Sequence, residues 1–238
     1  MRYISYILIS LILSFGMIAA GSFIKDGLIQ IKTADRYVTV KGLAERDVKS
    51  DLAVWPIQFK VADNDLAAAR AELSRQEKII RDFMTKNGID QNDVSVQQIS
   101  VNDAFTQQYR QNNVAMRYAI DQTMVVRTTD VDAVAKAANN ISDLVAEGVL
   151  IGYGALPQYS FTKLNDIKPA MIADATQNAR EAAQQFAKDS GARVGDIRSA
   201  SQGYFSIQPR DHIVNASPGT ALFKKVRVVS TVEYSLDD

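Results

Sequence analysis

The 238-residue chain carries 27 basic and 27 acidic side chains, one histidine and no cysteine. Balanced charge offers no basic face for nucleic acid, and the missing thiols exclude a disulfide framework, a thiolate nucleophile and a thiolate metal site. A domain of about 200 residues buries roughly 70% of the surface its unfolded chain exposes, so it needs no covalent staple.

The first element is apolar. Ile4 to Ile24 carries no charge, with Arg2 before it and Lys25-Asp26 cancelling after it. As a helix it would span roughly 31 Å, the thickness of a hydrocarbon core. Positive charge on the N-terminal side puts the N-terminus in the cytoplasm and everything beyond residue 25 outside. Ala19-Ala20-Gly21 or Ala20-Gly21-Ser22 would serve as a cleavage site near residues 20–22. The apolar run continues through Phe23 and Ile24, which favours a retained anchor. Retained, residues 4–24 hold the chain in the inner membrane; cleaved, the product is a soluble periplasmic protein. The expected organisation is a signal anchor or signal peptide over residues 1–25, a polar linker over 26–36, and one periplasmic domain over 37–238.

Within that domain Tyr37–Lys41 alternates and meets Gly42, a short strand and turn. Ala53, Trp55, Ile57, Phe59 and Val61 occupy every second position of a half-buried strand. Pro56, on the outer phase, argues for an edge or a bulge there. Asp63-Asn64-Asp65 caps a helix with Leu66, Ala69, Leu73, Ile80 and Phe83 on one face, Glu77 and Arg81 paired on the other, and Asn87-Gly88 at its end. Val94 and Val96 open the next strand, and Ile99, Val101 and Phe105 continue it on the opposite phase. That change predicts a bulge at Gln97-Gln98. A polar loop, Thr106–Asn113, leads to the return strand Met116–Val126, so the pair reads as a hairpin. Thr129-Asp130 caps a second helix with Val131, Val134, Ala138, Ile141 and Val145 on one stripe, ending at Gly148. Tyr153, Ala155, Tyr159 and Phe161 form a strand. A third helix starts near Asp166–Pro169 and ends at Gly191, its inner face made of Ala175, Ala179, Ala182, Ala183 and Phe186. Val194–Ile207 is a less regular strand region, Ser206–Phe223 a long loop, and Val226–Leu236 a clean closing strand.

The expected fold is therefore an α+β, mixed-sheet domain in the order β-β-α-β-β-α-β-α-β-β, with a split βαβ order in its middle run. No Gly, Ser or Pro linker divides it.

These residues carry a resemblance. Val38-Thr39-Val40-Lys41-Gly42-Leu43-Ala44-Glu45, followed by Val48 and Asp51-Leu52-Ala53, resembles the opening signature of SIMPL-domain proteins. Val126–Val131, the alanine ladder from Ala175 to Ala187, and the closing Val228–Leu236 strand are similar in order and spacing. Ser50 departs from the proline usual before the aspartate. The resemblance covers roughly residues 36 to 236. It implies an exported α+β domain of the periplasmic immunogenic type, long carried as a domain of unknown function. Such domains assemble into large homo-oligomers, and a link to oxidative-stress tolerance has been suggested for them. It supplies no catalytic residues.

The residues agree with that silence on chemistry: they offer no catalytic, cofactor-binding or metal-ligating set. His212, beside Asp211, Arg210 and Pro209, has no Gly-x-Ser-x-Gly elbow to work with. Zinc needs several His or Cys ligands. Asp63-Asn64-Asp65 and Asp130-Val131-Asp132 stand where helices begin and lack the glycine and terminal glutamate of a calcium loop. The glycines of Gly148–Gly154 leave a helix for a strand, the reverse of a phosphate loop. Tyr153, Tyr159, Phe161, Tyr204 and Phe205 read as packing rather than as an aromatic binding surface. The expectation is a non-enzymatic, self-assembling envelope protein without cofactor. The alternative is a periplasmic small-molecule binder or hydrolase in a cleft between the Val94–Val126 hairpin and the 206–223 loop, using Asp211 and His212.

Overall fold

The computed structural model describes residues 14–18, 20–25, 36–106, 115–152, 154–211 and 217–237. Residues 14–18 and 20–25 are helical; the rest of the apolar segment lies outside the described residues. Among the described residues no helix is long and apolar enough to cross a membrane.

The chain packs as two compact units, one of Arg46–Lys168 with Ser206–Val226, the other of residues up to Glu45, Pro169–Phe205 and Arg227 onward. The boundaries fall inside continuous strands and a helix rather than in a linker, because each unit borrows parts of the same long elements. Two antiparallel sheets take the place of the single mixed sheet expected from the element order.

The larger unit is built on β2 (Leu52–Asp63), β3 (Val94–Asp103), β4 (Tyr118–Thr128) and β5 (Gln158–Ser160), in the sheet order β3-β4-β2-β5. With α1 (Leu66–Lys86) after β2, and α2 (Val131–Asn139) and α3 (Ser142–Ala146) after β4, this is the split βαβ arrangement. β2 and β4 pair over their whole length, setting Trp55 opposite Val126, Ile57 opposite Met124 and Val61 opposite Ile120. These residues are fully or almost fully buried, and with Leu73, Ile80, Phe83, Val134 and Leu144 of the helices they form the core. The alternation of period two in β2 is the cause: one face is wholly apolar and must be covered.

Helix α1 begins where expected. The Asp65 carboxylate accepts from the N–H groups of Ala67 and Ala68 at 2.6 and 3.0 Å. It ends at Asn87, followed by Gly88 at φ 89°. Leu66, expected on the buried face, is exposed, and Gln76 and Met84 are buried instead. The expected second helix is two, broken at Asn140, whose amide donates to the Asn87 side chain at 3.1 Å. Val145, past the break, turns outward. Pro56 is within an inner strand, not an edge. Gly152 N–H bonds to Gln58 O on β2's outer side, and by alternation the Pro56 nitrogen points the same way, past the Leu52–Val54 stretch that β5 covers. No ladder bond is lost there. β5 is shorter than expected, and Tyr153 lies outside the described residues.

β1 (Tyr37–Lys49), β8 (Phe223–Asp237) and β6 (Arg193–Gln202) follow the order β1-β8-β6 in the second sheet, and the short β7 (Ser206–Pro209) pairs with β8. β7 lies inside the segment expected to be loop throughout. β1 does not stop at Gly42 but runs on to Lys49. Glycine serves close approach there, not a turn: a side chain at 42 would overlap the Ala175 carbonyl of α4 (Leu164–Ser190). Met171, Ala175, Ala179, Ala183 and Ala187 recur every four residues and are buried, while Phe186, expected among them, is exposed. Val40, Val232 and Tyr234 complete this core. β6 holds β8 through two register shifts, the irregularity its sequence predicts.

Candidate functional site

The acidic clusters are structural. Asp130 caps α2 through Ala133 N–H at 3.0 Å, and Asp132 pairs with Lys49 at 2.5 Å. Asn64 accepts from Arg117 N–H at 3.0 Å. Among the described residues no cluster of His, Asp or Glu is arranged to hold a metal. Gly148 and Gly154 take positive φ in turns, and Gly152 lies flat against Gln58. Of the aromatic set, Tyr159 is buried, its hydroxyl pushed up by burial and then by Asp132, whereas Tyr204 is fully exposed.

His212 lies outside the described residues. Asp211 is engaged by Arg210 at 2.9 Å, and the Arg210 guanidinium lies over the Phe223 ring. The described part of the 206–223 loop bonds to β5, Tyr159 N–H donating to Gly219 O at 2.7 Å. β5 and the β3–β4 hairpin stand at opposite ends of the sheet with β2 between. The two expected walls of a cleft are therefore apart. One residue that sequence reasoning missed sits here: Lys224, almost completely buried, donates to Pro218 O, and burial pulls its ammonium pKa down. Its place on the inner phase of β8, ahead of Val226 and Val228, was the available signal. Nearby Ser50 is also buried, its hydroxyl without a partner among the described residues.

The feature with most to offer a partner is β3. Among the described residues it ends its sheet and pairs only with β4. The expected bulge is present: Gln97 is the extra residue between Val96 and Gln98. Its effect is to keep Val94, Val96, Ile99 and Val101 opposite Val126, Met124, Gln122 and Ile120, all on the helix-covered face. Helix α1 covers β2, β4 and the start of β3 at Val94 but leaves Val96, Ile99 and Val101 partly exposed. Ile99, Val101 and Ile120 line a groove of about 290 Å³ closed on its other side by Leu66, Arg70 and Leu73. At the hairpin's end, Arg117 pairs with Asp103 at 3.0 Å and lies over the rings of Phe105 and Tyr118. Its donation holds the Asp103 carboxyl below the usual range.

Both units fall within the family described as "SIMPL: Protein of unknown function (DUF541)", which matches residues 38–234. The chain belongs to this family. The SIMPL match takes in both sheets and α1 to α4, in agreement with the resemblance of the opening signature, the alanine ladder and the closing strand. No curated protein matches the chain.

Proposed function

We propose that this SIMPL protein is an exported, self-assembling component of the cell envelope that works without catalysis. The observation that carries the reading is β3: a sheet edge that no other described strand pairs, with an apolar stripe on its core-side face, is a surface made to be covered. The apolar segment over residues 4–24 directs export, leaving the folded region in the periplasm, anchored in the inner membrane or released by cleavage. A contribution to oxidative-stress tolerance acts through the assembly rather than by scavenging. Of six methionines, Met84, Met124 and Met171 are wholly buried, and there is no thiol to oxidise.

The test is the mass of the native particle extracted from membranes, read by light scattering. A mass several times the 26.2 kDa of one chain is expected. A stable monomer at micromolar concentration overturns the reading. For the stress role, a deletion strain with wild-type oxidant sensitivity would remove it.

A further inference from the structure

We infer that β3 pairs with β3 of a second copy, antiparallel, about a two-fold axis passing between Gln97 and Gln98; this rests on the self-assembly reading and specifies its interface.

The strand is a palindrome in kind. Reading outward from the axis, Gln97 meets Gln98, Val96 meets Ile99, Ser95 meets Ser100 and Val94 meets Val101. An isologous contact requires this, because each residue must tolerate its symmetry mate. The bulge makes the match work in three dimensions. Were the strand regular, with Gln97 taking its place in the ladder, Val94 and Val96 would face one side of the sheet and Ile99 and Val101 the other. With the bulge, all four face the α1 side, so a two-fold perpendicular to the sheet aligns apolar with apolar on that face. Ser95 and Ser100, opposite Val125 and Asp121, align on the other face. The result is one continuous eight-stranded sheet, β5-β2-β4-β3 and its mate, with both α1 helices on the same side.

The other edges are blunted and β3 is not. β1 carries Lys41, Glu45, Arg46, Asp47 and Lys49; β6 carries Arg193, Asp196 and Arg198 and two register shifts; β5 has three residues. From Val94 to Asn102, β3 has no charged residue, so two copies bring no like charges together. Val96, Ile99 and Val101 remain 38%, 57% and 54% exposed on a face whose other members are core. Pairing extends that apolar layer across the axis.

The chain contains no cysteine, which makes the test clean. In the full chain carrying Ser95→Cys and Ser100→Cys, each cysteine faces its complement in the second copy, and oxidation should double the mass on a non-reducing gel. Either single variant should stay at monomer mass, since its own symmetry mate lies five residues along, about 17 Å away. Ile99→Lys, at an exposed position, should cut the cross-linking of the double variant at least tenfold while circular dichroism is unchanged. Should Ile99→Lys unfold the chain, the cysteine pattern decides alone. A multi-subunit native particle in which the double variant does not cross-link, or in which the single variants cross-link equally, overturns the β3 interface and leaves self-assembly standing. A monomeric native protein overturns both.

Discussion

Gly42 of β1 rests on the backbone of Ala175 in α4, with no room between them for a methyl group. The contact brings strand and helix together at a point where the helix also presents only alanines. We expect Gly42→Ala to destabilise the protein by about 3 kcal/mol or more, because the neighbour it strikes is backbone and cannot rotate away. Gly88→Asn, at a left-handed position with open space around it, should cost about 1 kcal/mol or less. Urea unfolding of both variants checks the contrast.

Trp55 is the single tryptophan and is wholly buried, its indole N–H donating to Ala155 O at 2.8 Å. Fluorescence should therefore be blue-shifted in the folded protein and move to the red on unfolding. Trp55→Phe should cost about 2–3 kcal/mol, combining lost volume with a carbonyl left without its donor. The midpoint of chemical denaturation followed by circular dichroism reads this.

Lys224 is buried with a backbone carbonyl as partner and, among the described residues, no carboxylate. Its folded pKa lies below the ordinary 10.5, so between those two values the unfolded chain binds more protons. Stability contributed by this site should rise with pH through that window and be constant below it. Lys224→Met should remove the alkaline rise and stabilise the protein near neutrality by about 1 kcal/mol. Thermal melts from pH 7 to 10 would show otherwise if the two chains keep parallel profiles.

Glu72 is held at about 2 by the Arg75 guanidinium, with help from Gln76, against an ordinary 4.5. What it contributes to stability is present above its ordinary pKa and is lost as pH falls toward 2. Arg75→Ala should raise its titration toward the usual carboxylate range, with the Gln76 bond still holding it somewhat below. Carboxyl NMR across pH 2 to 6 measures both.

Much of the larger unit was legible in the sequence. The alternation from Ala53 to Val61 predicts a strand with one buried face, and Asp65 and Asp130 predict caps, because both signals are local. The Gln97-Gln98 phase change predicts the bulge for the same reason. The break at Asn140, the burial of Gln76 and the exposure of Phe186 were not legible: each depends on which neighbour reaches that position. The candidate site divides the same way. His212 stands out as the one histidine and Asp211 as its neighbour, yet Asp211 is taken up by Arg210. Lys224 drew none, since a lysine in an apolar alternation reads as an exposed interruption until the loop over it is seen.

By itself the sequence determined most of the elements, the caps, the bulge and the apolar character of every core strand, all set by neighbours within a few residues, and through their order the family. Only the tertiary structure decided that the strands divide into two antiparallel sheets, that Gly42 is a contact rather than a turn, and that β3 stands at an edge where α1 covers Val94 but leaves Ile99 and Val101 exposed. Sheet order and helix coverage are relations between distant segments, and periodicity along one segment carries no information about which segment lies beside it.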